Sequence, residues 1–516
     1  MKYLEKITQI LMVSWLLLSG CTNQFDELNV SPNALQQDRF DEDLLFTRTL
    51  VYGALRYTEF QRAQHLYCNH YIQYYSMSVG RFPTGRYITR DDWLTAYWTE
   101  AYADYLTQCQ QVINITIENP KLINKTAMAR IWKVFLFHRI TDFFGDVPYF
   151  EALQGNLTPR YDPQKDIYAD MLNELEEAAD SFDPSLSSTL GFGEADILYQ
   201  GNIDHWVRFA NSLQFRLSMR MSEVDPAGAE QHIRELLGED RLINSEEFSA
   251  VMSYGEDFGG ALENLQPMGI IRTFNEYRAS NTLVDFLRDN NDPRLELYIA
   301  PSEATNEFAG LTNGLNPEEL AAIDDQLDNF ARDSHIISNT YAPSVLLSYS
   351  EVELLKAEAS LRGWGSGSVQ THYENGIRAS INFWLDVYQN LLVRIPTSQQ
   401  NILPTISVSM QDINDYLSEP NILYNPANAL EQIITQKWLT NINQGFESYA
   451  DYRRTGFPKL NPIPNTDMQS ETGGSAVPLR IRYPSEEQSL NGENYRIAVG
   501  RQGPDLPTTS VWWDTQ

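Results

Sequence analysis

Ser348 to Tyr388 reads SYSEVELLKAEASLRGWGSGSVQTHYENGIRASINFWLDVY. Two helices are predicted here, Tyr349 to Gly363 and Val369 to Tyr388, joined by GWGSGS. Ala357 lies in the first, Tyr373 follows sixteen residues on and Gly376 nineteen on. A small, an aromatic and a small residue at those offsets suit two antiparallel helices that touch closely. Gly363, Gly365 and Gly367 resemble a phosphate cradle only superficially. They follow a helix instead of a strand, and the Lys-Ser/Thr pair that would hold the phosphate is missing. An interhelical turn is the better reading.

Working outward, helical patterns dominate. Asp41 to Gly53 and Trp93 to Ile117 carry apolar residues at helical spacing, the latter after a Gly/Pro-containing loop from Ser78 to Asp92. Lys125 to Phe144 stops at Gly145, with Pro148 beyond, as a helix C-terminus should. Asp166 to Phe182 ends before Asp183-Pro184. Asn202 to Met221 places Trp206, Phe209, Leu213, Leu217 and Met221 on one face, a core stripe. Ala427 to Gln444 is predicted as the last long helix. Residues 247–342 and 389–426 are rich in Gly, Asn, Asp and Pro and read as loops, as does the tail from Asn461 with short extended pieces such as VPLRIRYP. Helix pairs of about 34 residues are the tetratricopeptide type. The expected fold is mostly α, tetratricopeptide-like helix pairs with long loop-rich insertions, forming one compact domain over residues 41–516.

Composition narrows the function. The 516 residues include 38 Lys+Arg and 69 Asp+Glu, a net charge of −31. That balance disfavours nucleic acid, because an anionic surface releases no counterions from phosphates, and it disfavours electrostatic docking on anionic lipid. At 42% hydrophobic and 21% charged the chain is globular.

The first twenty residues read as an address. Lys2 and Lys6 precede ITQILMVSWLLL, Ile7 to Leu18. A bilayer span needs roughly 20 apolar residues, so this run is a signal-peptide core. It ends in Leu18-Ser19-Gly20-Cys21, which resembles the bacterial lipobox. Residues 1–20 are then a lipoprotein signal peptide, Cys21 the lipidated residue, and residues 21–40 an extended tether. The other cysteines, Cys68 and Cys109, either pair in an oxidising compartment or are two buried thiols. A chain this large needs no staple, which favours thiols.

No catalytic constellation stands out. The seven histidines form no HExxH, no paired CxxC occurs, and no GxSxG elbow is present. Asp324, Asp325 and Asp328 lack calcium-loop spacing and read as a solvated acidic turn. A glycosidase needs two carboxylates across a sugar ring, and nothing marks such a pair. No metal or cofactor is expected.

Six segments together resemble one family, the SusD/RagB-like nutrient-binding outer-membrane lipoproteins of Bacteroidetes. They are CTNQFDELNVSPN after the lipobox, RITDFFGDVPYFEAL at Arg139 to Leu153, and YQGNIDHWVRFANSLQFRLSMRM at Tyr199 to Met221. SYSEVELLKAEASLRGW at Ser348 to Trp364, GFESYADYRRTGFPKL at Gly445 to Leu460, and VPLRIRYPSEE at Val477 to Glu487 complete the set. The resemblance implies a SusD-like fold and a lipid-anchored, surface-exposed protein of the outer membrane. It implies a non-catalytic role, capturing an oligosaccharide or peptide for a SusC/RagA-like TonB-dependent β-barrel transporter. Thr22-Asn23-Gln24-Phe25 stand where exported lipoproteins of this phylum usually carry acids. The alternatives are a surface hydrolase with an unmarked carboxylate pair and a scaffold that binds only proteins.

The motifs themselves read as structural. Glu351, Glu353 and Glu358 suit ion pairs with arginines, and Arg453 and Arg454 suit acids or loop carbonyls. The ligand site is sought in loops instead. The Ser78 to Asp92 loop and its exit bring Arg81, Phe82, Tyr87 and Trp93 together. The family's ligand region implies, by place only, Tyr277 in the central insertion. Trp93 packing in the core, and Arg81 pairing with Asp91 or Asp92, are the competing readings.

Overall fold

Glycine ends the central helix as its sequence suggests. Ile123–Phe144 stops at Gly145, whose φ of 89° lies in the region that glycine occupies without strain. In the computed structural model the described residues are 41–54, 56, 60–187, 190–253, 267–365, 367–396, 400, 402–466 and 476–515. The signal segment, Cys21 and the tether lie outside them.

The chain is mostly helical. Glu42–Ala54 packs on Leu106–Thr116, which packs on Ile123–Phe144, then Gln164–Asp180, Ile203–Arg220 and Pro226–Glu239 follow in turn, each against the one before. Tyr349–Leu361 pairs with Val369–Arg394 and also packs on Ile203–Arg220 and Ala429–Thr440. Side chains start these helices: Asn202 accepts from His205 N, Ser348 from Glu351 N and Ser368 from Thr371 N. The Tyr349–Val369 pair is antiparallel, since Glu353 meets His372 while Leu354 and Ser350 meet Gly376. A Cβ on Gly376 would lie 2.6 Å from Leu354 Cγ. Ala357 and Tyr373 are buried beside it, and the Tyr373 hydroxyl donates to Ile422 O at 2.8 Å.

Several elements differ from the sequence reading, among them the helices Met410–Leu417 and Gly492–Gln502, which stand in stretches read as loop. The helix predicted over Ala427 to Gln444 spans Ala429–Thr440 and ends early at an Asn-rich turn, and a further helix, Gly445–Thr455, follows beyond the predicted end. Gly445 is required there, because a Cβ would fall 2.2 Å from Asn69 Oδ1. Pro226–Glu239 was not expected, although Asp225 caps it and Pro226 opens it. The insertion at 247–342 is not wholly loop. Among the described residues it holds the helix Asn281–Asp289 and four strands: β3 (Tyr277–Ala279) pairs antiparallel with β1 (Tyr75–Met77) from earlier in the chain, β2 (Ala250–Met252) with β6 (Ser344–Leu347) just after it, and β4 (Ile299–Ala300) with β5 (Arg332–Asp333) within it.

The core is one large apolar cluster running from Phe46 to Trp513, with a satellite around Leu354 and Ile433. Trp206, Phe209 and Leu213 are fully buried, as their stripe required. The charges of the sequence motifs are inside as well. Arg220 bonds Asp142 and Glu447, each at 2.6 Å. Arg454 grips Glu358 with two bonds of 2.6 and 2.8 Å. Lys437 pairs with Asp451 at 2.8 Å, and Arg453 donates to Leu479 O at 3.0 Å. Burial alone would raise the Glu358 carboxyl, but the Arg454 guanidinium overrides it and holds it at about 2. Cys68 and Cys109 are free and buried, as the size argument favoured.

Candidate functional site

The site region begins where β1 leaves the sheet. Met77 pairs with Tyr277, and Ser78 N then donates to Glu276 O at 3.0 Å, so the following loop is tied to the start of β3. Gly80 lets that loop close on the helix Pro317–Ala322: a Cβ there would lie 3.0 Å from Pro317 Cβ. That helix is fixed by Asn316, which accepts from Glu319 N while Glu319 bonds back to Asn316 N. Beyond Phe82 a tight turn over Pro83–Arg86 ends at Tyr87, whose φ is 66°, and the chain enters the helix Asp91–Glu100.

The result is an open cavity of about 390 Å³ lined by Ser78, Gly80, Arg81, Pro317, Leu320 and Asp324. Arg81 stands at its edge, with its side chain 67% exposed and ion-paired to Glu276. Its guanidinium also sits 5.0 Å from the Phe82 ring centre. Phe82 and Trp93 follow with ring centres 5.4 Å apart, and both are half-buried. Arg90 lies 5.0 Å over the Trp93 ring and is steadied there by Asp92 at 2.9 and 2.7 Å.

Of the five predicted ligand residues, Arg81, Phe82 and Trp93 share this rim. Tyr87 and Tyr277 do not, and the expectation is corrected for both. Tyr87 is 2% exposed and packs edge-on to Tyr71 at 5.2 Å. Tyr277 is fully buried against His65 and Tyr75, at 4.7 and 4.9 Å. Neither ring shows solvent a face. The proposed Arg81 pairing with Asp91 or Asp92 is also replaced: Glu276 holds Arg81, Arg90 holds Asp92, and Asp91 accepts from Ser485.

One aromatic was missed. Phe274 is 43% exposed in the turn just before Glu276. Nothing in the sequence FNEY distinguishes it from its neighbour Tyr277; burial alone separates them.

The arrangement offers ring faces, the guanidiniums of Arg81 and Arg90, and the carboxylates of Glu276, Asp92 and Asp324. At the cavity itself the Ser78 hydroxyl donates to Asn275 O and not to a base. His70 Nδ1 meets Tyr75 O at 3.1 Å, and His138 and His372 meet carboxylates. Burial pushes the Cys109 thiol up to about 12 and leaves it bonding Ala129 O. Among the described residues no group of three or more His, Cys, Asp or Glu is placed to hold a metal, and no helix is long and apolar enough to cross a membrane.

Comparison with known proteins places the fold. A SusD-like family described as "Starch-binding associating with outer membrane" matches residues 33–484. A solved structure named a chitin-binding protein is 31% identical, with a TM-score of 0.77 covering 92% of this chain and 99% of its own. A chitin-binding SusD homologue from Flavobacterium johnsoniae is 25% identical, with a TM-score of 0.76 over 92% and 98%. A SusD homologue from Parabacteroides distasonis is 25% identical, with a TM-score of 0.77 over 92% and 98%. No curated protein matches. The helix pairs, the buried motifs and the family match over residues 33–484 agree, and the chain belongs to the SusD-like family.

Proposed function

We propose that this protein is a non-catalytic glycan-binding lipoprotein of the outer membrane. It captures an oligosaccharide on the rim formed by Arg81, Phe82 and Trp93, with the exposed Phe274 two residues before Glu276, and passes it to a SusC/RagA-like TonB-dependent β-barrel. The supporting observation is the relation to a chitin-binding protein at 31% identity along 92% of the chain. The rim chemistry suits that ligand. A sugar presents a face of C–H groups that packs on aromatic rings, and a ring of hydroxyls that needs fixed donors and acceptors. Arg81 and Glu276 supply both and already hold one another, so little ordering is left for the ligand to impose. The barrel supplies the energy for import, and this chain needs no bond-breaking group.

Cys21 carries the anchor in this reading. Each buried CH₂ of an acyl chain contributes about 0.8 kcal/mol, so several chains hold the protein firmly. Pull-down on insoluble chitin, with starch granules in parallel, tests the ligand. Retention on either supports glycan capture, with chitin expected; failure to bind any glycan while binding peptides rejects it. Gentle detergent extraction should recover a β-barrel partner, and Cys21→Ala should lose palmitate label and leave the membrane fraction.

A further inference from the structure

The glycan reading leaves the choice of sugar to the cavity beside the rim, and the assignment made here rests on that reading. The cavity, of about 390 Å³, has the size of an ordinary small-molecule pocket, roughly 300–1,000 Å³. Val79, Gly80, Pro317, Leu320 and Ala321 make most of its wall, and the Ser78 hydroxyl is spent on Asn275 O. Two charged groups complete it, Arg81 and Asp324.

These two charges are not equivalent. Arg81 is ion-paired to Glu276, whose side chain is 13% exposed. The neighbouring cations are matched as well: Arg90 pairs with Asp92 at 2.7 Å, and Arg278 with Asp328 at 3.6 Å. Asp324 is exposed, and among the described residues it has no cation partner. Glu318 and Asp325 stand exposed on either side of it and carry the same sign, while Glu319 is spent on Asn316 N. Arg81 and Glu276 cancel, so Asp324 leaves the cavity with one negative charge. A carboxylate set in an apolar wall focuses its field into the open space. A cation that enters there gains a charge-assisted hydrogen bond.

We propose that this cavity selects a glycan bearing a free amine, a chitin oligosaccharide from which acetyl groups have been removed. The ammonium of one sugar unit pairs with Asp324, while neighbouring units lay their C–H faces on Phe82 and Trp93. A fully acetylated oligosaccharide keeps the ring faces but brings no cation, and Asp324 stays with water.

The test is calorimetric titration of the whole chain with two hexasaccharides of equal length, one of N-acetylglucosamine and one of glucosamine. Mildly acidic buffer of low ionic strength keeps the sugar amines protonated. The glucosamine hexasaccharide should bind at least about threefold tighter, and added salt should shrink that advantage. Asp324→Asn should bring the ratio of the two affinities to about one. Glu235→Gln removes an exposed acid from the helix Pro226–Glu239 and should leave the ratio as it is, which separates Asp324 from the chain's overall charge of −31. Equal or weaker binding of the amine sugar by the natural chain, a ratio retained by Asp324→Asn, or a ratio lost equally in Glu235→Gln would each overturn the assignment. The glycan reading survives any of these as long as the acetylated hexasaccharide binds. Binding of neither sugar would reject that reading and the assignment with it.

Discussion

Arg216 and Glu351 face each other through two parallel hydrogen bonds, Nε to Oε1 at 2.9 Å and Nη2 to Oε2 at 2.7 Å. Their side chains are 1% and 0% exposed. Each lies in one of the stretches by which the sequence resembles its family, on helices 135 residues apart in the chain. The pair therefore ties the first run of helices to the Tyr349–Arg394 hairpin. Two charges buried this way gain little over apolar packing, but either one left alone is costly.

Glu351→Ala is accordingly expected to cost about 3–5 kcal/mol, because it removes the bidentate partner of a buried guanidinium and leaves Arg216 only Glu447 at 3.4 Å. Arg216→Met combined with Glu351→Leu should cost clearly less than the sum of the single changes. Urea denaturation of the four proteins of this cycle measures it, and additive costs would show that the two groups do not act as a pair.

Gly376→Val should destabilise by about 1–3 kcal/mol, since the new Cβ meets Leu354 Cγ at 2.6 Å and Ser350 O at 3.2 Å. Thermal unfolding reads this directly. An unchanged melting temperature would mean that the helix pair does not pack as closely as described.

Acid should weaken the fold from pH 6.5 downward. Burial depresses His65 to about 3, and burial then Arg272 depress His335 to about 4. The unfolded chain takes up protons on these rings near 6.5 while the folded chain does not. Stability is full above 6.5 and falls as the pH drops, by about 1.4 kcal/mol per unit for each ring. Glu358, held at about 2, adds a loss only below 4.5. His65→Gln should make the slope of stability between pH 6 and 5 shallower by about 1.4 kcal/mol per unit. A slope identical to the natural chain's would contradict the burial of a neutral ring.

Arg81→Ala with Phe274→Ala should weaken glycan binding about tenfold or more, with the melting temperature nearly unchanged, since both side chains are exposed. Tyr87→Ala should do the reverse and cost about 3–5 kcal/mol, as a buried aromatic does. Calorimetric titration and thermal unfolding of the same samples separate the two cases. Unaltered affinity in the Arg81/Phe274 double variant would move the site off this rim.

Much of the fold was legible because its signals are local. Gly145 ends a helix through its own φ, and the Trp206–Leu213 stripe shows a period that only a packed helix uses. The acids and arginines of the motifs also announced themselves as partners. What was not legible depends on distant neighbours. The need for glycine at 445 arises from Asn69, nearly 380 residues earlier in the chain. Phe274 lies in a turn three residues before Tyr277, yet β1 covers Tyr277 as the start of β3 while Phe274 stays 43% exposed. Arg81 had acids nearby in sequence, but the pairing of β1 with β3 brought it Glu276 instead.

The central claim is that this protein binds a glycan and leaves it intact. Calorimetric titration of the whole chain with soluble N-acetylglucosamine oligosaccharides, followed by mass spectrometry of the sugar recovered from the cell, tests it most directly. The account predicts saturable heat and sugar of unchanged length. Shortened products, or no heat with these or with malto-oligosaccharides, would contradict it.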